Sequence, residues 1–528
     1  MADDYTDKER HEDVKILHGM GYAQELSRSM SKFSNFAISF SIICILSGGI
    51  NSFAQAISSV GGAGAGIGWI AGCIVSGMFA LAMAQIASAF PTAGGLYHWA
   101  SILGNRFWGW LTAWLNLLGL ITVLGAINIG TAYFFAGAIA PMFGTTAADG
   151  TVTTFFTGTD MQVVVFVAII TILQAVLNHV GIRVTTFLTD ISGYIIFATT
   201  AVLVVACLYF APSLDFSRLW TFTNFSGEAG GNVFPQSDNM FYLFLLCLLL
   251  PVYTITGYDA SAHTSEETHD AANSVPKGIV SAVLWSSLVG WVMISAIMLA
   301  VPDMAAGAAQ GWGVFFGTMN AVIPETLRNI LYIGIFIAQL LCGLATVTSA
   351  SRMLFAFARD DGMPAGSAAL ASVSPTFRTP VTAIWTATVL CILYVVLAMT
   401  IKVGETSIYV IVVNSTLVFL FLSFTIPLVA GLFAYGTAKW PKPGPWAMSA
   451  GTYKLVTVLS VVGMAIILFI AVAPPNERVL YVVIGFIVLA LIFWFATENK
   501  RFKGPPVGDE IKRRQAEIAK KEAMFGES

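Results

Sequence analysis

From Phe33 onward the chain is a succession of apolar runs, at residues 33–59, 66–90, 107–140, 161–180, 186–210, 239–263, 277–301, 327–356, 380–401, 407–435, 452–473 and 478–497. A helix rises about 1.5 Å per residue, so roughly 20 apolar residues cross the hydrocarbon core of a bilayer. Lipid offers no partner to a backbone N–H or C=O, so chains with such runs span as closed helices. The expected fold class is therefore an all-α polytopic membrane protein of about 12 transmembrane helices. Composition agrees: 57% of residues are hydrophobic and 10% charged, against about 25% charged in soluble domains, and mean hydropathy is +0.79.

The remaining bulk properties narrow the class further. A net charge of −3 gives no electrostatic footprint for nucleic acid. The six cysteines lie in apolar runs without metal-ligand spacing, which fits packing and implies neither a metal nor another cofactor. Residues 1–32 are polar and lack the short apolar core of a cleavable signal. Placing them in the cytoplasm puts eleven Lys and Arg residues on the inner connections, Arg28, Lys32, Arg106 and Lys277 among them, against Arg218, Arg328, Lys402 and Arg478 outside. The positive-inside rule thus predicts both termini cytoplasmic, in a plasma membrane or a bacterial inner membrane. The connections 141–160, 211–238 and 302–326 then face outward.

The sixth run stops being apolar at mid-depth. After Met240 to Ile255 come Thr256, Gly257, Tyr258 and Asp259, then His263, Glu266, Glu267, His269 and Asp270. Non-helical backbone at that depth survives only against protein or a water-filled cavity. A broken helix is predicted there, with Gly257 free to take backbone angles that Ile255 and Thr256 cannot. The first run carries a counterpart, Ser47-Gly48-Gly49-Ile50-Asn51, followed by Ser52, Gln55, Ser58 and Ser59. Paired interruptions in corresponding positions of two halves point to a transporter with its site between them. Gly48 and Gly49 have a plainer reading, as a place where helices approach closely.

Three segments in this order, TGYDASAHTSEET at 256–268 with Pro276-Lys277-Gly278-Ile279, AFPTAGGLYHWAS at 89–101 and SRMLFAFARDDGMP at 351–364, resemble signatures of the amino acid–polyamine–organocation permeases. The similarity runs over about residues 20–500 and is strongest to the amino acid and choline branch, which includes 4-aminobutyrate and choline permeases. It implies a leucine-transporter-type fold: a first repeat of helices 1–5 at 33–210, an outer loop at 211–238, a second inverted repeat of helices 6–10 at 239–435, two appended helices at 436–499, and cytoplasmic tails at 1–32 and 500–528. It also implies substrate held by the unwound parts of the first and sixth spans, which map onto Ser47, Gly48, Gly49, Ile50 and Asn51 and onto Thr256, Gly257, Tyr258 and Asp259. Gln85 stands where many relatives carry a glutamate, and the fifth span has no lysine where some proton-coupled relatives place one.

Several residues carry two readings. Asp259 can cap the restarted half-helix or meet substrate or a proton. Asp259, His263 and Glu267 fall at i, i+4 and i+8 on one helical face, a relay able to pass a proton toward the cytoplasm, whereas Glu266, Glu267, His269 and Asp270 also read as the solvated inner end of the span. Tyr258 can gate or pack. Thr348 and Ser349, in the hydroxyl-rich eighth span, offer an alternative cation site for sodium or bond to their own helix carbonyls. His98 reads as structural, Asn116 and Asn128 as either pathway or helix-joining residues, and 500–528 as a solvated helix. No P-loop, H-E-x-x-H motif or repeated filter segment supports an ATP-driven pump, a membrane-embedded enzyme or a channel. The expected function is a secondary active transporter importing an amino acid or related small amine such as 4-aminobutyrate with protons, the alternatives being choline, a polyamine or sodium coupling. Polyamines would want several carboxylates at depth, and only Asp259 offers one.

Overall fold

The computed structural model describes residues 5–146, 152–400 and 408–525; Lys402 lies outside them. Among the described residues eleven helices are long and apolar enough to cross a membrane, and the shorter apolar helix Met240–Thr254 supplies the start of a twelfth span. The spans are Lys32–Asn51, Gly64–Ala89, Arg106–Phe143, Asp160–His179, Ile182–Phe210, the broken segment from Met240, Ala271–Ala300, Glu325–Arg359, Val381–Thr400, Ile408–Ala434, Ala450–Val472 and Glu477–Arg501. All twelve apolar runs became spans, and the protein is an all-α polytopic membrane protein.

Burial sorts the spans by role. In the most apolar window of each, 89% of span one and 83% of span three are buried by protein, against 22% of span twelve. A helix apolar on all sides and uncovered by protein belongs against lipid, so spans one and three are central and span twelve peripheral. The packing partners follow a rule: span two lies against seven, three against eight, and four against nine. Three also packs on ten as eight packs on five, and one on seven as six on two.

Span one is interrupted, but earlier than expected. Its first helix ends at Ile43; Cys44 takes φ 28° and ψ 81°, and helix resumes at Gly48–Asn51 and again at Ala54–Val60. The non-helical backbone is thus Cys44 to Ser47, while Gly48, Gly49, Ile50 and Asn51 form a helical turn. Gly48 serves close approach instead: a Cβ there would stand 2.9 Å from Thr254 Cα on span six. Span six breaks where expected, between Thr254 and Ala260. Gly257 has φ +88°, and a Cβ on it would meet Ile42 Cγ2 at 2.3 Å. Sterics and conformation both require glycine there.

Both tails pack on the protein, and the expected solvated helix at 500–528 is docked rather than free. Asp7–Gly19 is a helix with a capping box between Thr6 and Glu9, and its Asp13 carboxylate accepts from the N–H groups of Asp270 and Ala271 at 2.8 and 2.9 Å, capping span seven from outside. Residues 22–31 form a strap across the same face. Asp509–Phe525 is helical and lies on the N-terminal tail: His18 Nε2 is 2.7 Å from Glu522 Oε1. Both tails therefore occupy one side of the protein, the tail side. On the far side, residues 302–326 contain the helices Met304–Ala309 and Val314–Val322, and Thr145–Thr146 pairs with Val152–Thr153.

Candidate functional site

The two breaks lie together. Ser39 Oγ donates to the Tyr258 carbonyl at 2.9 Å and accepts from Ser261 N at 2.9 Å. Asn35 Nδ2 donates to Ser261 O and Thr268 Oγ1 at 3.0 and 2.9 Å. The polar residues in the first half of span one thus bind the backbone that span six frees at its break, the accounting that a membrane interior demands.

At the break itself Asp259 makes no capping hydrogen bond, so the capping reading is corrected. Its Oδ2 accepts from Asn116 Nδ2 of span three at 3.1 Å and lies 3.3 Å from His263 Nε2. Asn116 Nδ2 also donates to Ser423 Oγ of span ten at 3.2 Å. Asp259 Oδ1, Asn116 Oδ1, Thr256 Oγ1 and the Tyr258 hydroxyl are all buried with no protein partner among the described residues. Buried polar groups are rarely left unpaired, so this cluster has unused capacity for a donor such as an ammonium group or a proton. The Tyr258 ring packs on Phe424, centroids 5.4 Å apart. Asn128 joins helices, donating to Thr171 and Gln174 of span four, each at 2.9 Å.

On the far side a cavity of about 270 Å³ is lined by Ile50, Asn51, Gly130, Tyr133, Phe134, Trp312, Phe315 and Phe316. Of the span-one residues, Ile50 and Asn51 line it; Asn51 Nδ2 has no protein partner among the described residues.

On the tail side Glu266 and Glu267 are fully buried, which overturns their reading as a solvated helix end. Arg352 clasps Glu267 through Nε and Nη2 at 3.0 and 2.9 Å. Arg359 clasps Glu266 through Nη1 and Nη2 at 2.9 and 2.7 Å. Glu267 is thereby held by a guanidinium and separated in role from the Asp259–His263 pair, so the three-member relay is not assembled. Beside them, Asp360 Oδ2 accepts from Tyr22 and Tyr97 at 2.7 and 2.9 Å and lies 3.1 Å from His98 Nε2. Burial opposes the charge on Glu266, yet the Arg359 guanidinium holds its carboxyl below the usual range. Burial likewise opposes the charge on Asp360, outweighed by hydrogen bonding and charge from His98 and by Arg359.

Arg352, Arg359 and Asp360 were not singled out as site residues. The available signal was two arginines seven apart, hence on one face of span eight, opposite a Glu-Glu pair after span six. Thr348 Oγ1 donates to Asn178 Oδ1 of span four at 2.7 Å, and Ser349 Oγ is buried without a protein partner among the described residues. Among those residues no group of three or more His, Cys, Asp or Glu could hold a metal.

A broken pair of helices around a polar cluster, closed at one end and hollow at the other, suits passage of a small solute. The sequence profile of the family described as amino acid permease matches residues 30–496. The chain belongs to the amino acid permease family. It is 31% identical to amino-acid permease BAT1 of Arabidopsis thaliana over 521 residues, covering 93% of this chain and 95% of that protein. The BAT1 homolog of Oryza sativa subsp. japonica is 30% identical, covering 93% and 94%, and amino-acid permease 2 of Neurospora crassa is 27% identical, covering 93% and 88%. This permease is accordingly a multi-pass membrane transporter of small-molecule amino acids, and not an enzyme.

Proposed function

We propose that this permease imports an amino acid or a related small amine such as 4-aminobutyrate, held between the Cys44–Ser47 and Ile255–Asp259 breaks and driven by protons. The observation that carries the proposal is the set of unpartnered buried groups at the second break: Asp259 Oδ1, Asn116 Oδ1, Thr256 Oγ1 and the Tyr258 hydroxyl. The N–H groups of Gly48 and Gly49 are already bonded to the carbonyls of Cys44 and Ile45, so the backbone opened at the second break, with the polar groups beside it, is the proposed seat of the amino acid's charged groups. Ile50 and Asn51 then belong to the approach from the far side.

Asp259 is the proposed proton carrier. A proton on Oδ1 would give that orphan oxygen a donor's role, and His263 Nε2, 3.3 Å from Oδ2, is positioned to exchange it. A proton moving inward also gains about 2.3 kcal/mol per 100 mV of membrane potential. Sodium is the weaker reading because Thr348 is committed to Asn178, leaving Ser349 alone of the proposed pair.

The packing pattern supports two inverted repeats at 33–210 and 239–435 with 436–499 appended, because the contacts three–ten and one–seven recur as eight–five and six–two when each span is exchanged for its counterpart five positions away. On this reading the tail side is cytoplasmic, in a plasma or bacterial inner membrane. The test is uptake into proteoliposomes under an imposed pH gradient without sodium, compared with a sodium gradient at equal pH. Accumulation driven by the pH gradient is expected; accumulation that needs sodium and ignores pH would overturn proton coupling and return attention to Ser349.

A further inference from the structure

We propose that the C-terminal helix Asp509–Phe525 is an autoinhibitory clasp that slows opening of the tail side by pinning the strap at residues 22–31. The inference rests on the reading that transport requires the tail side to open.

The strap is attached directly to the segment that must move. Gln24 Nε2 donates to Glu266 O at 2.9 Å. Arg28 Nη1 donates to the carbonyls of Ser265 and Thr268 at 3.0 and 2.6 Å. Ser29 N and Met30 N both donate to Glu267 O, at 3.0 and 2.8 Å. These acceptors follow within a few residues of the half-helix Ala260–His263, so span six cannot withdraw on this side while the strap stays in place.

The C-terminal helix holds the strap from its other face. Lys521 Nζ pairs with Glu25 Oε1 at 3.0 Å. Glu522 Oε1 accepts from Gln24 N at 2.9 Å as well as meeting His18. Arg514 Nη1 reaches to 3.8 Å from Asp360 Oδ1, the hub of the closed network. One end of this chain thus reinforces the strap made by the other and reaches the Asp360 network beneath it.

A permanent anchor would be apolar and close-packed. This seam instead encloses a cavity of about 580 Å³ lined by charged groups, including Glu25, Arg359, Arg514, Glu517 and Lys521. Ile518 is buried in the same seam, so it is the charged part of the contact, around the void, that can take up water and loosen, which suits a contact that opens and closes.

The test uses the full-length permease in proteoliposomes, with initial amino acid uptake and hydrogen exchange of residues 22–31 read on the same preparations. Lys521→Glu should raise uptake about threefold, the scale that one partly buried ion pair can set, and speed exchange in the strap. The charge swap Glu25→Lys with Lys521→Glu should restore both towards wild type. Glu522→Gln, which removes charge without adding repulsion, should act in the same direction more weakly and serves if the reversal fails to fold. Uptake unchanged or slowed while the strap exchanges faster would overturn the clasp. Absence of uptake by the wild-type protein in the same vesicles would instead count against the transport reading itself.

Discussion

The two ends of the pathway are closed by different chemistry. The tail side is shut by ion pairs taken out of water, Arg352–Glu267 and Arg359–Glu266, with Asp360 gathering Tyr22, Tyr97 and His98. The far side is bordered by aromatic rings, Tyr133, Phe134, Trp312, Phe315 and Phe316, around an open cavity. Separating buried charges leaves each unpaired and costs several kcal/mol unless water enters at once, whereas rotating rings exchange one apolar contact for another. The difference matches a far side that is hollow and a tail side that is sealed, and under the proposed proton coupling it makes tail-side opening the step that binding must drive.

The sharpest way to break this account is to remove the hinge both ends share. Gly257→Leu should abolish uptake while leaving expression and membrane insertion nearly intact, since even a Cβ would stand 2.3 Å from Ile42. Near-normal uptake by that variant would remove the second break from the site.

The next largest effect contrasts the ends directly. Arg352→Ala strands Glu267 without a partner in a fully buried position and should destabilise the protein by about 3–5 kcal/mol. Phe316→Ala, at a partly exposed ring on the far side, should cost roughly 1–2 kcal/mol, below the range for fully buried aromatics. Chemical unfolding in detergent compares them, and equal losses would dissolve the contrast.

A smaller effect follows from acidity. Glu266 and Asp360 have lowered pKa values when folded, so they bind fewer protons folded than unfolded. Their contribution to stability is complete above the ordinary carboxylate range, near pH 4, and is lost as pH falls through the lowered folded values. Thermal melting between pH 7 and pH 3 should show acid loss that diminishes in Glu266→Gln; identical pH profiles would argue against the assignment.

The mildest probe is access. Asn51→Cys should react with an aqueous thiol reagent through the far-side cavity, and Tyr258→Cys, at a position with no exposure, should react slowly. Equal rates would mean that the cavity does not distinguish the two breaks.

The sequence made span six legible because Gly257 sits where apolar residues give way to Thr256 and Asp259, so conformation and polarity change at one place. In span one the two signals separate. Gly48 and Gly49 mark close approach to Thr254, while the break falls on Cys44, Ile45, Leu46 and Ser47, residues that otherwise read as helix. Asp259 was visible as a buried carboxylate, but its partners Asn116 and Ser423 come from spans three and ten, and only packing brings them together. Glu267 looked like the next member of a proton relay by helical periodicity; the half-helix lasts a single turn, and Arg352, 85 positions away, claims the carboxylate. The tail helix at Asp7 had a local signal that the reading of residues 1–32 as a polar tail passed over, Thr6 and Glu9 in capping-box spacing. The docking of the C-terminal helix on that tail had no local signal.

The central claim is that amino acid and proton meet at the Asp259 break, and Asp259→Asn in proteoliposomes tests it most directly. The substitution keeps the side chain's size and its contact with Asn116 within reach but cannot carry a proton. Accumulation driven by a pH gradient should be lost, while exchange of labelled for unlabelled amino acid across the same vesicles, which needs no net proton movement, should persist at a measurable rate. Accumulation at the wild-type level would contradict the claim.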